Sequence, residues 1–352
     1  MAPLQFGLYS PQPHITVGSR EIVRSIAGAL APLPSHTVDP TFELGRSVLC
    51  AADAAGFDII LFAERHLGPD LEAWITASAI GAATRRIRSM VAVHPGLWHP
   101  ALIAKMAASL DRISSGRMAI NLVTGWNEVE HRMFGGSAML HDDDRYVRAE
   151  EYIEILRGLW TTSPFSYAGR FYQLDNVELL LRPATPTPPD IFTASRSGRG
   201  RDMVARHADW WFLDFPKTVQ STQEMMESVK RSIDDMDERA ARHGRKVRYG
   251  FNPFIAFGSS EEAAMEDIVK LIMSTDPDAD GRKIRSRILP ALKAGCVGPA
   301  DRIREQMMKL GDLGVELLLL KLVPSLETTA RVREEIIEPL RRECAAPLAA
   351  AV

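Results

Sequence analysis

The chain has 352 residues, 46% of them hydrophobic, and a formal net charge of −3. That supplies enough apolar material for a large core, and the mild acidity excludes a nucleic-acid or anionic-membrane partner as the main function. Three cysteines, Cys50, Cys296 and Cys344, form no CxxC pair and are odd in number, which argues against a disulfide framework and for a reducing cytoplasm. No basic, apolar leader follows Met1, and no apolar run reaches the roughly 18 residues of a membrane helix.

Short apolar runs alternate with helical periodicity along the chain. A strand at 4–9 leads through a proline-bearing stretch, 10–40, to a helix at 41–55. Strand 57–63 precedes helix 72–84, strand 87–94 precedes helix 100–113, and strand 117–123 precedes helix 143–160. Residues 161–189 read as a hairpin followed by a proline-rich connection. Then come strand 190–195 with helix 197–207, strand 209–213 with helix 217–243, and strand 247–257 with helices 260–274 and 299–312 around an insertion at 275–298. Strand 315–322 and helix 327–341 complete the series. Eight βα units with apolar strands predict an α/β fold, a closed (β/α)8 TIM barrel, as one domain over 1–352. The insertions at 10–40 and 275–298 follow strands, so they belong at the C-terminal face, where such barrels carry their sites and lids.

Several strand ends hold polar groups that would meet at that face. The second strand ends in Glu64-Arg65-His66, the third runs from His94 through Trp98 to His99, and the fourth runs from Asn121 to Thr124-Gly125-Trp126. An amide, a hydroxyl, a glycine turn and an indole at a strand exit suit a flat cofactor with polar edges. Ser197-Gly198-Arg199-Gly200 opens a helix, where free N–H groups and the dipole favour an anion such as phosphate; as a bare pattern it is equally a cap with a solvated basic face. Arg145-Tyr146 could clamp a phosphate. His66, His94 and His99 could instead ligate a metal, as in a barrel hydrolase, although the HxH pair expected on the first strand of such enzymes is missing from Leu-Gln-Phe-Gly-Leu-Tyr. No Gly-x-Gly-x-x-Gly follows the first strand, so a dinucleotide site is unsupported.

The run Asn-Leu-Val-Thr-Gly-Trp at 121–126 resembles the bacterial luciferase-like flavin-dependent monooxygenases. So do Pro-Gly-Leu-Trp-His-Pro at 95–100, Asp-Arg-Ile-Ser-Ser-Gly-Arg at 111–117, Gly-Arg-Phe-Tyr at 169–172 and Ala-Asp-Trp at 208–210. The branch it is most similar to holds the dimethylsulfone and alkanesulfonate monooxygenases, with pyrimidine oxygenase nearby. This resemblance implies reduced FMN, supplied by a separate NAD(P)H:flavin reductase, and dioxygen as co-substrate. It places Glu64, Arg65 and Glu130 near the flavin, Asn121 at its oxygen-reactive edge, and Arg145, Tyr146 and Ser197 at its phosphate tail. His66 is a candidate proton donor or substrate contact. Trp98, Asn252, Phe254, Arg285 and Arg287 are candidates for substrate or lid contacts.

Departures from the sulfonate enzymes matter. Asn252 and Phe254 stand where those enzymes carry an Arg and a His, Val323 replaces a tyrosine, and Asp70 replaces a cysteine. The expected function is oxygenation of a small organosulfur compound, a sulfone or sulfonate, with C–S cleavage. The alternatives are the same flavin chemistry on an amide, heterocycle or other xenobiotic or biosynthetic intermediate, or metal-dependent hydrolysis. The resemblance also implies a homodimer or homotetramer, and the basic run Arg282-Lys283, Arg285 and Arg287 is either a lid over an anion or a solvated face.

Overall fold

The computed structural model describes residues 3–11, 34–67, 70–125, 127–135, 139–141, 143–213, 219–275, 280–281, 293–322 and 325–349. Eight parallel strands close a barrel: β1 (Gln5–Tyr9), β2 (Ile59–Phe62), β3 (Arg88–Val93), β4 (Met118–Leu122), β7 (Asp190–Thr193), β8 (Trp210–Phe212), β9 (Arg248–Phe251) and β12 (Val315–Leu320). The seam is made by β1 and β12, with Gln5 opposite Leu317 and Leu8 opposite Leu320. Outside the barrel, β5 (Phe165–Ala168) and β6 (Gln173–Val177) form an antiparallel hairpin, and β10 (Ala256–Phe257) pairs with β11 (Val297–Gly298).

The helices are α1 (Pro40–Ala55), α2 (Ala73–Ala83), α3 (Pro100–Ile113), α4 (Glu128–Phe134), α5 (Asp144–Thr161), α6 (Gly198–His207), α7 (Thr222–Ala241), α8 (Glu261–Thr275), α9 (Ala300–Asp312), α10 (Leu326–Val332) and α11 (Glu338–Ala349), the last two joined by a π-helical turn at Arg333–Ile337. Polar side chains start many of them. Asp39 accepts from the N–H groups of Thr41 and Phe42 before α1, and Ser221 caps α7 through Glu224. The last helix also secures the second strand: Arg341 Nη2 donates to the Gly56 carbonyl at 2.6 Å and to Asp58 at 3.2 Å.

Strand alternation sorts the side chains into two cores. Ile59, Leu61, Met90, Phe192, Leu317 and Leu319 fill the lumen, while residues one step away along each strand join the helices in the outer core. Charged groups close the N-terminal end of the lumen. Arg88 donates to Asp190 at 2.8 Å, Trp210 Nε1 donates to the same carboxylate at 3.2 Å, and Arg248 lies 3.8 Å over the Trp210 ring while bonding Glu316.

All eight predicted barrel strands are present, and so is the hairpin. Three details differ. The strand expected at 247–257 is interrupted after Phe251, where Pro253 has no N–H for the ladder; a single bridge then pairs Phe254 with Lys321, and Ala256–Phe257 joins β11. The helix expected at 327–341 is broken by the π turn and runs on to Ala349. Helix α4 has no counterpart in the sequence reading.

Candidate active site

The C-terminal ends of the strands carry three groups of polar side chains. The first faces the lumen. Asn121 lies two residues beyond the lumen residue Ala119 on β4, so the alternation puts it on the same inner face; it is half-buried, in register with Ala92 and Phe192. Tyr9 packs against the lumen cluster, and its hydroxyl accepts from Asn252 Nδ2 at 3.3 Å. Burial pushes the Tyr9 phenol far up, so it stays neutral and able to donate. The Asn252 Oδ1 atom is buried without a hydrogen-bond partner.

The second group surrounds the start of α6. Ser197 accepts from the Gly200 N–H at 3.0 Å and donates to the Tyr146 hydroxyl at 2.8 Å. Arg145 Nη2 also donates to that hydroxyl, at 2.9 Å, and Ser195 Oγ lies 3.4 Å from it. Burial disfavours the Tyr146 phenolate, but the Ser195 and Ser197 hydroxyls and the Arg145 charge outweigh it and hold the pKa below its ordinary value. Residue 200 must be glycine, because a Cβ there would lie 1.8 Å from Ser195 Oγ and 2.7 Å from the Tyr146 ring. Arg199, at the same helix start, is committed elsewhere: it makes a bidentate pair with Glu150 at 2.8 and 2.6 Å. Arg145 keeps a buried Nε without a partner.

The third group lies behind the ends of β2 and β3. Glu64 is 2% exposed. Its Oε2 accepts from the His94 N–H at 3.1 Å and contacts His94 Nδ1 at 2.7 Å; its Oε1 accepts from Trp98 Nε1 at 2.7 Å and lies 3.5 Å from His66 Nε2. Arg65 follows, half-buried. Glu130, on α4 and also buried, accepts from the Leu67 N–H at 3.2 Å.

Two buried side chains here escaped the sequence reading. His131 has neither ring nitrogen hydrogen-bonded, and Arg148 has Nε and Nη2 without partners. Burial, then the nearby Arg148 charge, pushes the His131 pKa down, so that ring is neutral. It packs beneath the turn after β4: a Cβ on Gly125, whose φ is +103°, would sit 3.2 Å from His131 Nε2. Arg148 had a faint signal, since it falls one helical turn after Arg145; His131 had none.

The other candidates scatter. Phe254 packs on Met265 and Ile268 of α8 and lines a cavity of about 200 Å³ with Ile255, Phe257, Leu322 and Arg331, apart from the lumen cluster. Trp98 is bound to Glu64. Trp126, Arg282, Lys283, Arg285, Arg287 and Val323, with most of the insertions at 10–40 and 275–298, lie outside the described residues. Two of the three histidines suggested for a metal are occupied in other ways. His94 binds Glu64, and His99 caps α3 by accepting from the Ala101 N–H at 3.3 Å. Among the described residues no cluster of three or more His, Cys, Asp or Glu is arranged to hold a metal ion.

Comparison with known proteins decides the family. The model of the luciferase-like monooxygenases matches residues 34–341. The chain belongs to that family. It is 31% identical over 306 residues to an FMNH2-dependent dimethylsulfone monooxygenase of Pseudomonas fluorescens (strain Pf0-1), covering 79% of this chain and 81% of the relative. Among solved structures, riboflavin lyase (RcaE) superposes with a TM-score of 0.76 at 17% identity, over 97% of this chain and 92% of the other. DmoA from Hyphomicrobium sulfonivorans gives 0.71 at 17% identity, over 97% and 89%. At such identities these two structures establish the fold alone. The expected family, the barrel and the class of flavin monooxygenase are thus borne out. No described helix is long and apolar enough to cross a membrane.

Proposed function

We propose that this luciferase-like monooxygenase takes reduced FMN from a separate NAD(P)H:flavin reductase and uses dioxygen to oxidise a small organosulfur compound with C–S cleavage. The barrel and its insertions then act as one domain over 1–352. The observation that carries this reading is the separation of two kinds of polarity across the mouth: an anion cradle at the start of α6, and uncharged amide and phenol groups at the end of the lumen.

The residues fit FMN on that pattern. The α6 N-terminus with its Ser197 cap, the Arg145–Tyr146 pair and the partnerless Nε of Arg145 suit a phosphate dianion. Asn121 and the open Oδ1 of Asn252 suit the hydrogen-bonding edge of an isoalloxazine ring or a substrate beside it. Bound reduced FMN would supply the electrons that activate dioxygen. Asn121 would hydrogen-bond at the reacting edge, His66 would deliver a proton, and Arg65 and Glu130 would shape the wall beside the ring. Because Tyr9, Asn121 and Asn252 are uncharged, the lumen suits a neutral sulfone better than an anionic sulfonate. The similarity to curated dimethylsulfone enzymes supports the same choice.

The test is anaerobic titration with reduced FMN, followed by oxygen and product analysis over sulfones, sulfonates, amides and heterocycles with a reductase present. Sulfinate and aldehyde from a sulfone are expected. Tight reduced-FMN binding with turnover of amides or heterocycles only would move the substrate class, and absence of reduced-FMN binding would overturn the reading.

A further inference from the structure

The environment of Glu64 differs from that of a cofactor contact. Both carboxylate oxygens are committed inside the protein, Oε2 to the backbone and ring of His94 and Oε1 to the Trp98 indole, and His66 Nε2 lies 3.5 Å from Oε1, within ion-pair reach but without a hydrogen bond. The side chain is 1% exposed. The partners come from two strand ends, because Glu64 and His66 follow β2 while His94 and Trp98 follow β3. We propose that Glu64 is a positioning residue, a buried counter-ion that locks the end of β2 to the turn after β3 and thereby fixes His66 at the barrel mouth.

Three further contacts support this. The His66 ring is flanked by Trp98, at 6.1 Å between centroids, and by Phe134 of α4, at 5.2 Å. Trp98 is itself fastened by Glu64, so the same carboxylate holds both the imidazole and one of its walls. The next residue, Leu67, is pinned through its N–H by Glu130 from α4. The chain through His66 is therefore tied at both sides by buried carboxylates, each from a different element.

The electrostatics run the same way. The charged groups facing His66 are Glu64 on its own segment, Glu130 from α4 and Glu72 ahead of α2. The Glu64 contact, working against partial burial, raises the His66 pKa, so the imidazolium persists to higher pH than in an exposed histidine. Burial alone would push Glu64 up; the contacts to His66 and His94 outweigh it and bring the carboxyl down to about 2. The carboxylate thus stays ionised over any working pH, and a proton on the pair resides on His66. The contacts stand whatever the protein's reaction, but the use of that proton rests on the monooxygenase reading.

The experiment follows the imidazole signals of the nine histidines by NMR across pH in flavin-free protein, with His66→Gln identifying the His66 signal. In the unaltered chain His66 should titrate above the ordinary histidine value of 6.5. In Glu64→Gln its midpoint should fall. Reduced-FMN affinity should change by less than about threefold, whereas turnover should drop and the basic limb of its pH profile should move with the His66 midpoint. A His66 midpoint at or below 6.5 in the unaltered chain overturns the proposal, and so does a tenfold loss of reduced-FMN affinity in Glu64→Gln with the midpoint unmoved. If Glu64→Gln does not fold, the unaltered chain's midpoint and its shift in Trp98→Phe, which removes one donor and no charge, decide instead; an unmoved midpoint in Trp98→Phe overturns it. Failure of the monooxygenase reading would show separately, as no reduced-FMN binding by the unaltered chain alongside an elevated His66 midpoint.

Discussion

The two ends of the barrel use polar groups in opposite ways. At the N-terminal end, Arg88, Asp190, Trp210, Arg248 and Glu316 satisfy one another, and the lumen is sealed by internal pairing. At the C-terminal end, Asn252 Oδ1 and Arg145 Nε are buried without partners. A buried polar atom left unbonded costs about 1–3 kcal/mol, so a fold retains such atoms where something else completes them. The contrast separates the end that stabilises from the end that binds.

Substitutions can break this contrast in either direction. The largest effect is expected for Asn121→Ala, which should cut turnover about 100-fold while leaving reduced-FMN affinity within about threefold, measured by stopped-flow and anaerobic titration. Equal loss of affinity and turnover would mean that the amide only binds. Arg145→Ala should weaken reduced-FMN binding by about 10- to 100-fold, as expected for a charged hydrogen bond, with little change in stability. At the other end the pattern should invert. Asp190→Ala strands Arg88 and the Trp210 indole, so it should cost about 1–3 kcal/mol in denaturant unfolding and leave the turnover of folded molecules unchanged. A turnover defect in Asp190→Ala would show that the ends are coupled.

The smallest effect concerns pH. Glu64 has its pKa lowered in the fold from 4.5 to about 2, so its contribution to stability is complete above 4.5 and lost as the pH falls toward 2. His66 is raised, so its contribution is complete below 6.5 and lost as the pH rises through its higher folded value. Unfolding followed across pH should show both losses in the unaltered chain, and both should shrink in Glu64→Gln.

The barrel was legible because each strand is a short apolar run between helical patterns, and burial on both faces leaves that signature. Helix α4 was not. It is seven residues long, Val129, Met133 and Phe134 are exposed, and Glu130 and His131 are buried, which inverts the pattern by which helices are recognised. The phosphate-type cradle could be read from Ser197-Gly198-Arg199-Gly200 and Arg145-Tyr146, but not the diversion of Arg199 to Glu150, which needs α5 and α6 side by side. For the same reason the hub at Glu64 stayed hidden: its partners lie 30 and 34 residues further along the chain, and nothing local marks them.

The seam between β1 and β12 also sets the order of events during synthesis. The first strand leaves the ribosome roughly 300 residues before its seam partner, which at about 5–20 residues per second is a wait of roughly 15–60 s. Through that interval β1 can pair only with β2, and its other edge stays open. Nascent chains stalled before Val315 should therefore recruit chaperones, and release from them should follow the appearance of β12 rather than steady elongation.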